Sequence, residues 1–171
     1  EPTGGIPPRS PEVVTELDVC AAVIRRGHHL LLATRPEGTH LAGKWEFPGG
    51  KRRQGETLQD CIVREIQEEL GVTVQRPTPL CDLRHTYPAK TIRLHFLVCD
   101  LPPAAVPHGH EGQKCNWFTL SQLQGLDLAG ADAEFLRLLS KPSPQPSSAT
   151  WRDLRNALAA EENPPCHPPT V

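Results

Sequence analysis

The sequence contains no methionine, no Cys-x-x-Cys pair and no apolar run approaching the ~20 residues that cross a membrane. Because methionine is absent, we expect the natural start of the chain to be missing or processed. The six cysteines are scattered, and several lie inside apolar runs, where a free thiol packs as a small hydrophobic side chain. We therefore expect a reduced, cytoplasmic protein that does not associate with a membrane.

A basic excess is also missing, since 18 Lys and Arg stand against 20 Asp and Glu for a net charge of −2. Proteins that bind nucleic-acid polymers usually carry a clear positive excess, so the composition argues against such a partner. A length of 171 residues is enough for one domain with a full hydrophobic core, together with tails. The composition therefore predicts one domain and no nucleic-acid polymer as partner.

Prolines are concentrated at both ends of the predicted domain. Residues 1–12 are rich in Pro and Gly and are expected to form a flexible leader, and the domain itself is predicted over 13–140. Residues 141–171 begin with a Pro/Ser linker, continue with a short amphipathic helix at Trp151–Glu161 and end in a tail that is disordered by composition. This helix is expected to dock on the domain or on a partner through a stripe of Trp151, Leu154 and Leu158.

Strands are expected on both sides of a central helix. Extended segments are predicted at Val13–Ile24, Leu30–Thr34, Lys44–Phe47, Leu80–Tyr87, Thr91–Leu101 and Asn116–Thr119. The glycines of Pro48-Gly49-Gly50 are expected to end the third segment, and the fourth and fifth segments are expected to form a hairpin. A later helix is predicted at Asp132–Leu139, with an apolar face that docks on the sheet.

The central helix is predicted over residues 57–70 and carries the densest group of charged residues in the chain. Glu65, Glu68 and Glu69 stand at positions i, i+3 and i+4, so their carboxylates share one helix face. Thr57 is the expected N-cap, and Gly71 is expected to end the helix. Three like charges at this spacing repel one another, which favours either a solvated face or a metal site.

The surroundings of this helix favour the metal site. Gly49 and Gly50 allow main-chain groups to approach a ligand closely, and Glu56 adds a carboxylate at the junction of loop and helix. Arg64 is expected to tie the loop to the helix by pairing with a carboxylate. Carboxylate and carbonyl oxygens are hard ligands, which suit Mg²⁺ or Mn²⁺.

The same stretch resembles the signature of the Nudix hydrolase family. The signature is a Gly, five residues, Glu, seven residues, Arg-Glu, an aliphatic residue, any residue, Glu-Glu, any residue, Gly and an aliphatic residue. The matching positions show no departure and are Gly50, Glu56, Arg64, Glu65, Ile66, Glu68, Glu69, Gly71 and Val72. The resemblance implies an α/β fold, the Nudix α/β/α sandwich with a mixed central sheet, and Mg²⁺-dependent hydrolysis of a nucleoside diphosphate linked to another group.

The family's known chemistry implies roles for these residues. Metal ligands would be the carboxylates of Glu65, Glu68 and Glu69, with the Gly50 carbonyl oxygen and Glu111 as further ligands. Metal-assisted attack of water on a phosphoanhydride would need a general base, for which Glu65 and the loop residue Glu111 are the candidates. Arg64 completes the catalytic group. The expected partner is a small-molecule nucleotide, and we expect a monomer.

The resemblance extends over most of residues 17–139. Within the family, this stretch is similar to the MutT-like branch. It implies that Arg35 and His40 lie at the substrate, with Arg35 contacting phosphate. Phe47 corresponds to an aromatic residue at the base pocket, although an ordinary core position explains it equally well. Tyr87 takes the place of an aromatic residue near the nucleobase.

Asp132 stands where the MutT branch has an Asn that reads the modified guanine. An Asn side chain both donates and accepts, whereas an ionised Asp accepts only and needs a proton to donate to guanine O6. Apart from this departure, which puts the preferred base in question, the resemblance implies cleavage of 8-oxo-dGTP to the monophosphate and pyrophosphate, which sanitises the nucleotide pool. The alternatives are the same reaction on CTP, dCTP or 5-methyl-dCTP, and a Nudix-fold module that binds nucleotides without catalysis.

Overall fold

In a computed structural model of the chain, residues 15–141 and 148–159 are described. The predicted leader and tail, and most of the predicted linker, lie outside the described residues. The elements are β1 (Thr15–Arg26), β2 (His29–Thr34), β3 (Trp45–Glu46), β4 (Gly49–Lys51), α1 (Leu58–Leu70), β5 (Gln75–Tyr87), β6 (Lys90–Asp100), β7 (Cys115–Phe118), α2 (Leu120–Gln124), α3 (Gly130–Ser140) and α4 (Ala149–Ala159).

The strands form a mixed sheet in the order β3-β2-β1-β6-β5, with β4 also paired to β1 and β7 to β2. Strands β1 and β6 are parallel from the pair Thr15 and Lys90 to the pair Ile24 and Cys99. The other pairings are antiparallel, including the hairpin of β5 and β6. The mixed central sheet predicted from the family resemblance is confirmed.

Helices cover both faces of the sheet, because strand β1 is apolar on both sides. Cys20, Ala22 and Ile24 pack into one core with the buried residues of α1. Ala21 and Val23 point to the opposite face and pack with residues of α2, α3 and α4. The layers are therefore helix, sheet and helix, and the predicted α/β/α sandwich is confirmed.

Helix α1 begins and ends as its sequence predicts. The Thr57 side chain accepts a hydrogen bond of 3.0 Å from the Asp60 N–H, which caps the first turn. Gly71 ends the helix with a left-handed φ of 67°, a conformation that glycine adopts without steric cost. The buried stripe of Cys61, Ile62, Ile66 and Leu70 holds the helix on the sheet.

The third extended segment ends before Pro48, as predicted, but Gly49 and Gly50 were not expected to begin a new strand. They form β4 with Lys51 and pair with Val19, Cys20 and Ala21 of β1. A Cβ at Gly49 would collide with the carbonyl oxygen of Cys20, so the two main chains approach closely only because the side chain is absent. The glycines therefore pair with β1 and fix the start of the loop that leads into α1.

Strand β5 begins at Gln75, five residues before the predicted start at Leu80. It includes Pro77 and Pro79, which argue against a strand in the sequence. The strand lies at the edge of the sheet, where a missing N–H can face away from the neighbour, and the register shifts on both sides of Thr78. Position in the sheet explains why the prolines are tolerated.

The cysteines and the lengths of the helices bear on two further expectations, a reduced protein and the lack of a membrane span. Five of the cysteines lie in the described part of the chain, and all five are free thiols. No helix among residues 15–141 and 148–159 is long and apolar enough to cross a membrane.

Candidate active site

Arg64 lies at the centre of the acidic face of α1. Its guanidinium donates two hydrogen bonds to the Glu56 carboxylate, of 2.7 and 2.9 Å, and a third of 3.1 Å to the Lys51 carbonyl oxygen. It also donates to Glu65 at 2.6 Å and to Glu68 at 3.4 Å. Arg64 therefore ties the loop of residues 51–57 to the helix, and it does not line the cleft described below.

Two of the helix carboxylates contact the glycines of β4. The carboxylate of Glu65 lies where a Cβ at Gly50 would be, so the two residues are in direct contact. Glu69 accepts a hydrogen bond of 3.1 Å from the Gly49 N–H. Glu68 is 52% exposed and contacts Arg53 as well as Arg64. The structure thus brings Glu65, Glu69 and the glycine pair together, with Glu68 at the outer edge.

Glu69 is the most perturbed carboxyl group of this helix. It is 9% exposed, and burial raises its pKa to about 8, with further upward contributions from the charges of Glu46, Glu65 and Glu111. The Gly49 N–H opposes the shift, since it stabilises the carboxylate. Three acidic side chains therefore act on the carboxyl group of Glu69.

This donor set fits a hard divalent cation. Carboxylate oxygens repel one another here, and a Mg²⁺ ion bound among them would relieve both the repulsion and the burial of charge. No three His, Cys, Asp or Glu side chains in the described ranges are already arranged as a metal site. Arg64 holds two of the carboxylates, so the side chains would reorient toward a bound ion.

A cleft of about 750 Å³ opens beside Gly49 and Gly50, and its buried apolar lining comes mainly from the core that packs α2, α3 and α4. Its lining includes all five side chains predicted to bind substrate and two of the predicted metal ligands. These are Arg35, His40, Phe47, Tyr87, Asp132, Gly50 and Glu111. Residues far apart in the sequence therefore meet around one cavity.

Phe47 and Asp132 form the inner end of the cleft. The Phe47 N–H donates a hydrogen bond of 3.2 Å to Oδ1 of Asp132, and both side chains are buried. The sequence left Phe47 as either a core residue or an aromatic residue of the pocket. In the structure it belongs to the core and also lines the cleft. Asp132 lies in the first turn of α3 and lines the cleft.

Burial favours the protonated form of the Asp132 carboxyl group. The side chain is 6% exposed, and burial raises its pKa to about 8, with a further upward contribution from the charge of Glu46. The Phe47 N–H and Arg35 act in the opposite direction. A protonated Asp both donates and accepts, so in this form Asp132 offers the hydrogen-bonding pattern that an Asn would offer.

Glu46 is a cleft residue that the sequence reasoning missed. Its carboxylate accepts a hydrogen bond of 2.7 Å from Arg35, which also donates to the carbonyl oxygen of His40. Burial raises the pKa of Glu46, although Arg35 opposes the shift. Arg35, predicted to contact phosphate, is thus held at the cleft by Glu46. The alternation Trp45-Glu46-Phe47 in a short strand gave no signal that the acidic residue would be enclosed.

His85 and Lys90 also line the cleft without having been predicted. The His85 ring lies 4.7 Å from Tyr87 between centroids, because residues two apart on β5 share one face of the sheet. The Lys90 ammonium group lies 5.9 Å from the centre of the Tyr87 ring. Because Tyr87 was predicted at the cleft, the alternation of side chains along β5 could have placed His85 there as well.

Glu111 is carried by a loop that is fastened to the end of α1. The N–H groups of His108 and His110 donate to the carbonyl oxygens of Leu70 and Glu69, at 3.1 and 2.9 Å. These bonds satisfy two of the last carbonyl groups of the helix, which lack partners within it. The loop is therefore held against the helix that carries Glu69, and Glu111 reaches the same cleft.

The model of the NUDIX domain family matches residues 19–138, which is more than half of the chain. This chain belongs to the Nudix family. Together with its MutT relatives, the match shows that the protein is a Nudix hydrolase, an enzyme that cleaves nucleoside diphosphate-linked compounds.

Relatives of this Nudix hydrolase cover most of its domain. The 8-oxo-dGTP diphosphatase of Escherichia coli K12 is 32% identical over 127 residues, which span 74% of this chain and 98% of the relative. The CTP pyrophosphohydrolase of the same organism is 33% identical over 121 residues, which span 70% of this chain and 88% of the relative. The crystal structure of the MutT protein from Methanosarcina mazei matches with a TM-score of 0.62 and 25% identity, covering 75% of this chain and 99% of that one.

Proposed function

We propose that this Nudix hydrolase is a Mg²⁺-dependent nucleoside triphosphate pyrophosphohydrolase that prefers 8-oxo-dGTP and releases the monophosphate and pyrophosphate. Its role would be to remove oxidised guanine nucleotides from the nucleotide pool, acting as a monomer on free nucleotide. The observation that carries the proposal is the buried Asp132, whose raised pKa favours the protonated form and whose side chain lines the inner end of the cleft, where it can recognise a base edge. A relative that acts on 8-oxo-dGTP, matched over 98% of its length, supports the same substrate.

At the base end, Asp132 supplies a donor and an acceptor to one edge of the nucleobase. Its O–H donates to guanine O6, while its other oxygen accepts from N1–H, in addition to the hydrogen bond from Phe47. Aromatic residues of the cleft, Phe47 and Tyr87, provide the apolar surface against which the base packs. Arg35 and His40 lie on the same cleft and carry the donors that suit phosphate oxygens.

At the phosphate end, Mg²⁺ would be held by Glu65, Glu68 and Glu69, with the Gly50 carbonyl oxygen and Glu111 as further ligands. When bound, the ion supplies charge neutralisation at the phosphates and acidification of a water molecule. Glu111 and Glu65 are the candidates for accepting the proton of that water. Arg64 holds Glu56 and Glu65 in place, so its part in the reaction is to position the acidic face.

The same chemistry on CTP, dCTP or 5-methyl-dCTP is the second candidate, because a relative of similar identity is a CTP pyrophosphohydrolase. A protonated Asp132 is also complementary to cytosine, where it accepts from the N4 amino group and donates to N3. Asp132 therefore supports base recognition in both candidates, and the relative that acts on 8-oxo-dGTP is the reason for placing that substrate first.

The substrate is tested with a panel of 8-oxo-dGTP, dGTP, CTP, dCTP and 5-methyl-dCTP, each assayed with Mg²⁺ by separating the monophosphate from pyrophosphate. We expect 8-oxo-dGTP to give the highest kcat/KM. A higher value for any cytidine nucleotide would replace the proposed substrate with the alternative. Release of inorganic phosphate in place of pyrophosphate would contradict the proposed bond cleavage.

The metal site is tested with Glu69→Gln, and Glu16→Gln serves as the control because Glu16 is exposed and does not line the cleft. We expect Glu69→Gln to abolish pyrophosphate release and to remove the rise in Tm that Mg²⁺ produces in the unmodified protein. Glu16→Gln should retain both. If Glu69→Gln keeps its activity and its Mg²⁺-dependent Tm, Glu69 is not a metal ligand. An unmodified protein that binds nucleotide and Mg²⁺ but releases no pyrophosphate would support the non-catalytic alternative.

A further inference from the structure

Helix α4 lies beyond the part of the chain that matches the Nudix family, which ends at residue 138. It nevertheless packs into the core, where Leu154 and Leu158 are almost fully buried. Its outer side is tied to α3 by Arg155, whose guanidinium donates a hydrogen bond of 2.9 Å to the Leu138 carbonyl oxygen. The helix is therefore an integral layer of the described structure, and its contacts with α3 bear on the cleft.

The contact of α4 with α3 is made by an aromatic stack. The ring of Phe135, which is fully buried, lies parallel to Phe96 with centroids 4.1 Å apart and an angle of 9°. Trp151 lies on Phe135 as well, with centroids 5.8 Å apart and an angle of 35°. Phe47 stands at 90° to Phe135, with centroids 5.1 Å apart, in the edge-to-face arrangement that aromatic pairs favour.

This stack ends at the two residues that form the inner end of the cleft. Phe47 and Asp132 line the cavity and share a hydrogen bond, while Phe135 lies three residues after Asp132 on α3 and does not line it. Trp151 does not line the cleft either. The position of Phe135 therefore affects Phe47 through ring contact and Asp132 through the shared helix.

We propose that Trp151 is a positioning residue for the nucleobase end of the cleft, acting through Phe135 on Phe47 and Asp132. The proposal rests on the proposed function in taking this end of the cleft as the base pocket. Interiors pack densely, so loss of the indole leaves a void beside Phe135 into which the ring and α3 relax. The buried residues of α1 belong to the other core and are not part of this stack.

The test compares Trp151→Ala with the conservative Trp151→Phe and with Leu158→Ala. Leu158 is buried on the same helix and lines a separate cavity between α2, α3 and α4, so its truncation loosens α4 without removing the ring on Phe135. The readouts are the Kd of 8-oxo-dGMP by calorimetry, KM and kcat for the nucleotide turned over best, and Tm. All are measured on the full chain.

For Trp151→Ala we expect the Kd of the monophosphate and the KM to rise about three- to tenfold, the loss expected from one aromatic contact, with kcat unchanged. Trp151→Phe should restore most of the affinity, because a ring again covers Phe135. Leu158→Ala should lower Tm as much as Trp151→Ala does and leave Kd and KM unchanged.

Two results overturn the proposal. One is a Trp151→Ala protein with unchanged Kd and KM, and the other is an equal rise for Leu158→Ala, which would make the effect one of stability alone. If Trp151→Ala does not fold, Trp151→Leu takes its place, and an affinity equal to that of the unmodified protein overturns the proposal. The proposed function is tested separately, because it fails if the unmodified protein hydrolyses no nucleotide of the panel. The positioning role is measured by the Kd of the monophosphate, which does not depend on turnover.

Discussion

Arg64 holds Glu56 through two hydrogen bonds, of 2.7 and 2.9 Å, from neighbouring nitrogens of its guanidinium to the two carboxylate oxygens. This paired geometry matches the planar guanidinium, and an ammonium group cannot reproduce it. The hydrogen bond from Arg64 is the largest cause that lowers the pKa of Glu56 to about 2. The loop of residues 51–57 is therefore attached to α1 by a pair that stays ionised over the whole physiological range of pH.

Arg64→Lys should lower the affinity for Mg²⁺ by about 10- to 100-fold, the range seen when a residue that orients metal ligands is changed. Lysine keeps the charge but loses the paired hydrogen bonds to Glu56 and the contact with Glu65. The measurement is the Mg²⁺ concentration at half-maximal activity and at half-maximal rise in Tm. Arg53→Lys is the control, because Arg53 is exposed and lies 3.7 Å from Glu68. Equal Mg²⁺ requirements in the unmodified protein and Arg64→Lys would contradict the positioning role.

Alanine at the two glycines of β4 should have different effects. A Cβ at Gly49 would collide with the main chain of Cys20, so Gly49→Ala should lower Tm and the yield of folded protein. A Cβ at Gly50 would collide with the Glu65 carboxylate, which is the end of a flexible side chain. Gly50→Ala should therefore fold but bind Mg²⁺ weakly, because Glu65 is displaced.

Circular dichroism, Tm and a Mg²⁺ titration separate these two outcomes. The contrast between the variants is the test, since the same atom is added at adjacent positions. A Gly50→Ala protein with a normal Mg²⁺ titration would show that Glu65 does not bind the ion.

Asp132→Asn should become more stable relative to the unmodified protein as the pH rises from about 5 to about 8. Burial raises the pKa of Asp132 from 3.8 to about 8, so between these values the folded state holds a proton that the unfolded state has lost. The stabilisation linked to that proton is fully present below 3.8 and is lost as the pH rises through about 8. Asn has no such titration.

Denaturant unfolding at a series of pH values measures this difference, and nucleotide KM follows the same logic. The unmodified protein loses its O–H donor at alkaline pH, whereas Asn keeps an N–H donor. The ratio of the two KM values cancels the titrations that both proteins share, including that of Glu69. A stability difference that does not change with pH would mean that Asp132 is ionised throughout.

Gly71→Ala should destabilise the protein more than Gly27→Ala. Both glycines have a left-handed φ, of 67° and 59°, which costs an alanine about 1–2 kcal/mol. A Cβ at Gly27 meets no atom within 4 Å, whereas one at Gly71 would lie 2.5 Å from the ring of His110. The difference in free energy of unfolding between the variants therefore reports the contact between the end of α1 and the loop that carries Glu111.

His110→Ala in the Gly71→Ala background completes this comparison. We expect it to recover the part of the loss caused by the collision, because the ring is removed and only the strain of the left-handed φ remains. Equal destabilisation by Gly71→Ala and Gly27→Ala would show that His110 yields without cost.

Helix α1, its two ends and its shared acidic face were determined by the sequence itself. The spacing of Glu65, Glu68 and Glu69 places the carboxylates on one side of any helix, and Thr57 and Gly71 act on groups within one turn. The hairpin of β5 and β6 was predicted for the same reason, as its turn and alternation are local. The nine matched positions also indicated the family, because each has a local or chemical requirement at a fixed distance.

Tertiary structure alone decided the properties that depend on burial and on neighbours distant in sequence. The raised pKa of Asp132 follows from its burial and from the charge of Glu46 beside it, and no local pattern shows how deeply a carboxyl group is buried. Gly49 became part of a strand because β1 passes close to it, and the prolines of β5 were tolerated because that strand lies at the sheet edge. The packing of Trp151 on Phe135 likewise depends on where α4 folds back. The sequence of α4 predicts its apolar face but not the residues of the core against which that face packs.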